Sequence, residues 1–338
     1  MTASAAPLTC WIVTDGNPGG LNQCLGLAEA LGVSPIVKRV ALRPPWRQLS
    51  PFLRWGHAYA FTKDSDDLTP PWPDLLIASG KQSIAAALHV RAMGKRDGHR
   101  VVTVFIQNPG IAPSHFDLVI APEHDRIVGE NVISTRGALH RITRERLEAG
   151  AAKLLPRVAH LPRPYVSVLI GGANASYSLG PDEIAKLADA LKRAARESGG
   201  SLLITASRRT GEANVALLKS ALSGTPSFLW DGKGENPYFG LLGLADHIVV
   251  TNDSVSMVSE AVATGKPVHV FALPGKAGGS RKSRKFARFH ADMADAGWTR
   301  PFDGGLEKYD RPTVPEETIR AADAVRAVLG RVRHRHGG

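Results

Sequence analysis

Cysteine is nearly absent: Cys10 and Cys24 are the two in 338 residues, and neither belongs to a Cys-x-x-Cys pair or a Cys/His ligand spacing. Stabilisation by disulfides or a structural zinc is therefore not expected, and a reducing compartment is. Long apolar runs are absent too, since none approaches the roughly 20 residues of a membrane-spanning helix. Ala3–Pro7 lacks the basic start and apolar stretch of a secretory leader, so the expected location is cytoplasmic. Acid is scarce relative to base: 42 Lys and Arg against 31 Asp and Glu give a formal charge of +11. That balance favours anionic partners such as nucleotides, sugar diphosphates or lipid headgroups, although charge alone does not choose among them. No short-period repeat or low-complexity segment occurs, and no paired-aspartate DxD motif stands at the end of an expected strand. Two phosphate fingerprints are incomplete. Ser79-Gly80-Lys81-Gln82-Ser83 lacks the full spacing of a Walker loop, and Asp15–Gly20 lacks the ordered glycines of a dinucleotide fold, which argues against a kinase, an ATPase or a dehydrogenase.

What is present is an alternation of short apolar runs with amphipathic stretches. Strand-like segments at Cys10–Thr14, Asp74–Ser79, Val101–Ile106 and Phe116–Ala121 alternate with helix-like ones, and Arg43–Pro73 reads as a Pro- and Trp-rich excursion over the sheet edge or an acceptor-side loop. The pattern breaks at Leu155–Pro164. A second series follows, with strands at Tyr165–Ile170, Ser201–Thr205, Ser227–Trp230, His247–Thr251 and Val268–Leu273. Its helices are expected at Pro181–Glu197, Gly211–Ala221, Pro237–Ala245 and Ser254–Thr264, and a last helix at Thr318–Leu329. The expectation is an α/β protein with two Rossmann-like domains facing across a cleft. Residues 1–155 form an acceptor domain, 165–305 a donor domain, and 306–338 a C-terminal helix and basic tail.

Ligands of open α/β sheets bind beyond the carboxyl ends of the strands, so the residues that follow each strand are the candidates. In the second series Gly171, Gly172 and Asn174 follow the first strand, where glycines permit an anion to approach the backbone. Ser207, Arg208 and Arg209 follow the second and offer guanidinium groups to a diphosphate. Asn252, Asp253 and Ser254 follow the fourth and cap a helix whose N-terminus favours phosphate. Ser256 and Glu260 share one face of that helix, where the carboxylate can accept hydrogen bonds from ribose hydroxyls. Each piece has an ordinary alternative: a tight turn, solvated arginines, a plain capped helix. Their common position favours a nucleoside diphosphate.

In the first series Asp15 precedes Gly16, Gly19 and Gly20 between a strand and a helix. Asp15 can take a proton from an acceptor hydroxyl while the glycines leave room for it; the competing reading is a sharp turn capped by Asp15. His124, in Pro122-Glu123-His124-Asp125, is the second candidate base, with a surface turn as its alternative. No histidine spacing calls for a metal.

Several of these segments together resemble a known family. Thr14-Asp15-Gly16 with Gly20 and Asn22-Gln23, Ile106-Gln107-Asn108-Pro109, Phe116-Asp117-Leu118-Val119 with Ala121–Asp125, and Asn236-Pro237-Tyr238 through Ser254–Glu260 resemble the mitochondrial-fission-type family of plants and its bacterial members, classed with glycosyltransferases. The resemblance implies the two-domain GT-B fold. The second domain is also similar to that of the lipid-linked N-acetylglucosaminyltransferase of peptidoglycan synthesis, which implies donor roles for Gly171, Gly172, Ser207, Arg208, Ser254 and Glu260. Asn108 stands where relatives carry an acidic residue, so it receives no catalytic role. The implied activity is metal-independent transfer of a sugar from a nucleotide diphosphate to a lipid or glycan hydroxyl, with no cofactor. The basic loop Lys276–Arg288 would hold a lipid diphosphate or an anionic membrane, and nucleic acid is not an expected partner. Two rivals remain: a nucleotide-sugar epimerase of the same fold, and a non-catalytic adaptor for a membrane or protein.

Overall fold

The computed structural model describes residues 8–53, 56, 59–276 and 281–334, with the backbone alone at 281, 282, 333 and 334. Ala3–Pro7, the side chains of Arg281 and Lys282, and the tail beyond 334 lie outside the described residues. The chain divides into two compact units, one of residues 1–141 with 316–338 and the other of residues 142–315.

The first unit holds a parallel sheet in the order β2-β1-β3-β4-β5-β6, made of β1 (Cys10–Thr14), β2 (Pro35–Arg39), β3 (Leu75–Ser79), β4 (Val102–Ile106), β5 (Leu118–Pro122) and β6 (Val132–Thr135). Its inner strands are apolar at nearly every position because both faces are covered. Cys10 and Ile12 pack with Leu75 and Ile77 against α1 (Pro18–Leu31) and α10 (Glu317–His334), while Trp11 and Val13 face the opposite side with Leu76 and α3 (Ser83–Arg96). α10 thus completes the first unit rather than forming a separate C-terminal segment: Ala321, Ala322 and Val325 are buried with Leu27 and Ala28 of α1.

The second unit holds β7 (Tyr165–Ile170), β8 (Ser201–Ala206), β9 (Ser227–Leu229), β10 (His247–Thr251), β11 (Val268–Phe271) and β12 (Thr299–Pro301), parallel in the order β12-β11-β10-β7-β8-β9. α5 (Pro181–Ser198) and α6 (Glu212–Ala221) cover the face bearing Val166, Val168 and Ile170. The other face packs against α8 (Val255–Ala263) and α9 (Arg281–Asp295), and against α4 (Arg144–Val158) and α7 (Tyr238–Leu244).

Two expectations are corrected here. Leu155–Pro164 is not the boundary, because α4 runs to Val158 and buries Leu154 and Val158 beneath Tyr165 and Leu241; the units part between Arg141 and Ile142. Pro156 lies in the last turn of α4, where the missing N–H removes a single bond. The basic stretch is not a loop after Arg281: Phe286, Phe289 and Met293 recur at helical spacing and pack inward, which draws Arg284, Lys285 and Arg288 onto α9.

Burial also sets a pH response. His140 in the first unit and His269 in the second are each pressed by burial to a pKa of about 4. The unfolded chain takes up these protons near pH 6.5 and the folded one resists until about pH 4, so the unfolded state binds more protons across that window. Stability is therefore expected to fall as pH drops from 6.5 toward 4, read as a declining melting temperature. His269→Gln should flatten the decline, and an unchanged slope would show that His269 does not contribute to it.

Candidate functional site

The second sheet has the order of a Rossmann fold, in which β7 and β10 lie side by side while the chain proceeds from them in opposite directions. That divergence opens a crevice at their carboxyl ends, the place where such folds bind ligands. Gly171–Asn174 and Asn252–Ser254 leave the sheet there, with Ser207–Thr210 following β8 on the near side.

One carboxylate ties these three loops together. Asp253 is 2% exposed. Its Oδ2 accepts the Gly172 N–H at 2.9 Å and pairs with Arg209 Nη2 at 2.8 Å, and its Oδ1 accepts the Thr251 hydroxyl at 2.6 Å. Thr251 Oγ1 in turn accepts the Gly171 N–H at 2.8 Å, and the Thr210 hydroxyl donates to the Gly171 carbonyl. A Cβ on Gly171 would overlap the Asp253 carboxylate, and one on Gly172 would overlap the Arg209 carbonyl. The glycines do admit an anion to the backbone, but it is the protein's own.

Several expected donor residues are accordingly scaffold. Gly172, Asp253 and Arg209 spend polar groups on one another, and Gly171 spends its own on Thr251 and Thr210. Asn174 donates from Nδ2 to the Asp253 carbonyl at 3.0 Å, and its Oδ1 accepts the N–H groups of Ser176 and Tyr177. Asn252 Oδ1 accepts the Leu273 N–H at 3.0 Å, and the Ser207 hydroxyl lies 3.4 Å from Thr210 Oγ1. The reason is general: a charged group at the carboxyl edge of a sheet must itself be held before it can position anything else.

What faces outward is narrower. Arg208 is exposed, whereas Arg209 is bound to Asp253. Ser254 caps α8 by accepting the Met257 N–H at 3.3 Å, which leaves Val255 and Ser256 with the uncapped donors of the first turn. Glu260, one turn on, is 7% exposed and accepts the Tyr238 hydroxyl at 2.5 Å. Burial, then the Glu260 charge, raises the Tyr238 phenol well above its usual pKa, so it remains a donor. Tyr238 and His290 were not among the sequence candidates. His290 holds the Asn252 carbonyl at 2.7 Å from α9; burial lowers its pKa although that carbonyl and Asp253 favour its proton. No local spacing links positions 22 or 38 residues apart, so neither contact had a sequence signal.

The first unit has its own divergence, between β1 and β3. Asp15 follows β1 and Gly80 follows β3. A side chain on Gly80, whose φ is 96°, would collide with the Asp15 carboxylate. Asp15 Oδ1 accepts the Asn17 N–H at 3.3 Å, and Asn17 Oδ1 caps α1 through the Gly19 N–H at 3.0 Å. Gly20 lets α1 pack on Ser79; Gly16 is exposed at φ 84° with open space around it. Beside this site Gln107 holds φ at 79°, a left-handed backbone rare for a side chain, fixed by its N–H to the Ile120 carbonyl at 2.8 Å. His124 is buried in a single 3-10 turn with Nε2 4.0 Å from Asp125, so the surface-turn alternative does not describe it.

Comparison with known proteins is consistent with this architecture. Residues 18–329 match the model of the family described as mitochondrial fission ELM1. The mitochondrial fission protein ELM1 of Arabidopsis thaliana is 27% identical over 395 aligned positions, covering 94% of this chain and 90% of that one. Among solved structures, the UDP-GlcNAc 2-epimerase of Methanocaldococcus jannaschii superposes with a TM-score of 0.52 at 11% identity, covering 95% of this chain and 100% of the other. The Neisseria meningitidis UDP-GlcNAc 2-epimerase bound to UDP-GlcNAc gives 0.51 at 13%, covering 96% and 100%. At such identities the likeness shows the fold: the GT-B type, with two Rossmann-like units.

Proposed function

The chain belongs to the mitochondrial fission ELM1 family, and from that premise we propose that it is a glycosyltransferase moving a sugar from a nucleoside diphosphate to a hydroxyl acceptor on a lipid or glycan, without a bound metal. The observation that carries this reading is the gathering of Arg208, the first-turn N–H groups of Val255 and Ser256 that the Ser254 cap leaves open, and the buried Glu260 at the divergence of β7 and β10. Helix N–H groups and a guanidinium suit a diphosphate and stabilise the charge that develops as it leaves. The Asp253–Arg209 pair keeps the braced loop close to neutral, so it does not repel that charge.

Glu260 would accept the ribose hydroxyls, its carboxylate oriented by Tyr238. Asp15 would take the proton of the acceptor hydroxyl; the acceptor oxygen then bonds to the anomeric carbon as the bond from that carbon to the diphosphate breaks. Asp15 is preferred to His124 because His124 is buried, whereas Asp15 borders the open turn at Gly16.

Calorimetric titration with UDP in the absence of divalent metal tests the donor half. Glu260→Ala should weaken binding by about 1.5–3 kcal/mol, the value of hydrogen bonds to a charged group. Equal affinity in parent and variant would take Glu260 out of the site.

A second reading, a nucleotide-sugar epimerase, is favoured by the superposition on the two UDP-GlcNAc 2-epimerases. Inversion at the sugar in the absence of any acceptor would select it.

A further inference from the structure

Between β2 and β3 the chain makes an arc whose base is closed by pairing of Leu42 with Phe61 and by the Arg43 N–H to the Ala60 carbonyl at 2.9 Å. The arc has a small core of its own, with Leu42, Ala60 and Ala85 buried and Trp46 and Phe61 packed against them. Three large side chains are left out of that core: Leu49 is 50% exposed, Phe52 74% and Tyr59 69%. Apolar side chains of this size, grouped within 11 residues and turned to solvent, are unusual where a local core was available to take them.

The composition around them is equally one-sided. From Arg43 to Lys63 the sequence contains no Asp or Glu, and it contains five aromatic residues in 21 positions against 6% in the whole chain. Arg43, Arg47 and Lys63 are exposed, and the Arg43 guanidinium donates to the backbone carbonyl of Tyr59, which ties a cation to the residue that bears an exposed ring. Lys81, also exposed, lies next to the arc, because Ser50 Oγ donates to its carbonyl at 2.9 Å. Aromatic and basic side chains interleaved on one surface match a bilayer interface, whose headgroup layer takes amphipathic rings and whose anionic lipids attract the cations.

The arc is also placed. Ser50 is held to the loop after β3, Leu42 N–H donates to Gln82 Oε1 at 2.9 Å at the start of α3, and Pro51 lies close enough to Gly110, in the loop after β4, that a Cβ there would come within 3.5 Å of it. It therefore lies along the carboxyl edge of β3 and β4, the edge at which Asp15 meets Gly80. We infer that Leu49, Phe52 and Tyr59, with Arg43 and Arg47, form a docking patch that seats the first unit on an anionic lipid bilayer and brings a lipid-linked acceptor to Asp15. The identity of the acceptor rests on the function proposed above; the bilayer contact does not.

The test is sedimentation with phosphatidylcholine vesicles that contain phosphatidylglycerol, using the full chain and the triple variant Leu49→Ser, Phe52→Ser, Tyr59→Ser. All three side chains are outside the core, so the fold should persist, checked by an unchanged melting temperature. The variant should lose about tenfold or more in vesicle partitioning, and the parent should retain part of its binding in high salt, because inserted rings are not screened. UDP titration of the same variant should match the parent. Parent-like partitioning of the triple variant, no partitioning of the parent, or binding abolished only by Arg284→Ala with Lys285→Ala on α9 would each overturn the docking patch. Loss of vesicle binding by the triple variant in a protein that binds no nucleotide would leave the patch standing and defeat the transferase reading instead.

Discussion

Asp253→Ala is expected to destabilise the second unit by about 3 kcal/mol or more, the cost of removing one partner from a buried, hydrogen-bonded charge. The substitution deprives the Gly172 N–H and the Thr251 hydroxyl of an acceptor, strips Arg209 of its counter-charge, and opens a cavity where Gly171 has no side chain to fill it. Arg209 is partly exposed and can be rehydrated, so the loss comes chiefly from the buried N–H and hydroxyl. Urea unfolding monitored by circular dichroism reads the effect, with Ser256→Ala as a control expected to stay within about 0.5 kcal/mol. Unfolding of Asp253→Ala at the parent's urea concentration would mean that the three loops are held by something other than this carboxylate. Because the residue lies beneath the proposed diphosphate contacts, donor affinity should fall along with stability.

Asp15→Asn should behave in the opposite way. It keeps the shape of the turn, since an amide oxygen can still accept the Asn17 N–H, but it cannot take up a proton. Loss of a general base costs about 10²–10⁴ in rate, so nucleotide affinity should be unchanged while transfer to an acceptor nearly ceases. If the Asp15→Asn variant transfers at the parent's rate while His124→Ala is inactive, the base is His124. If both remain active, Asp15 is a turn residue whose carboxylate packs against Gly80.

How much of this was readable without the structure depends on the range of the interaction. β1, β7 and β10 coincide with their expected limits, and α8 begins one residue inside its own, because an apolar run ended by a capping side chain is a local signal. β2 and β6 were missed: as edge strands half open to solvent they mix polar with apolar residues. The last turn of α4 falls within the break at Leu155–Pro164, because little of the helix is buried and it contains Pro156.

At the candidate site, the position of Gly171–Asn174, Ser207–Arg209 and Asn252–Ser254 after their strands is legible in the sequence, but the contacts among them are not. Gly171, Gly172 and Asp253 are all candidates for a ligand, yet Gly172 donates to Asp253 across 81 residues and Gly171 to Thr251 across 80. The strand order that sets β7 beside β10 is not encoded in any local pattern. Tyr238 reaching Glu260, and His290 reaching Asn252, follow from that order and were invisible for the same reason.

The central claim is that the second unit binds a nucleoside diphosphate sugar. A thermal-shift screen of nucleotide sugars, run with a chelator present, tests it most directly, because a ligand at about a hundred times its dissociation constant stabilises the folded state by about 2.7 kcal/mol. The account predicts that one class of nucleotide sugar raises the melting temperature selectively, that the rise survives the chelator, and that it shrinks in Glu260→Ala. If no nucleotide sugar moves the melting temperature, with or without divalent metal, the donor site does not exist and the chain retains the fold for recruitment alone.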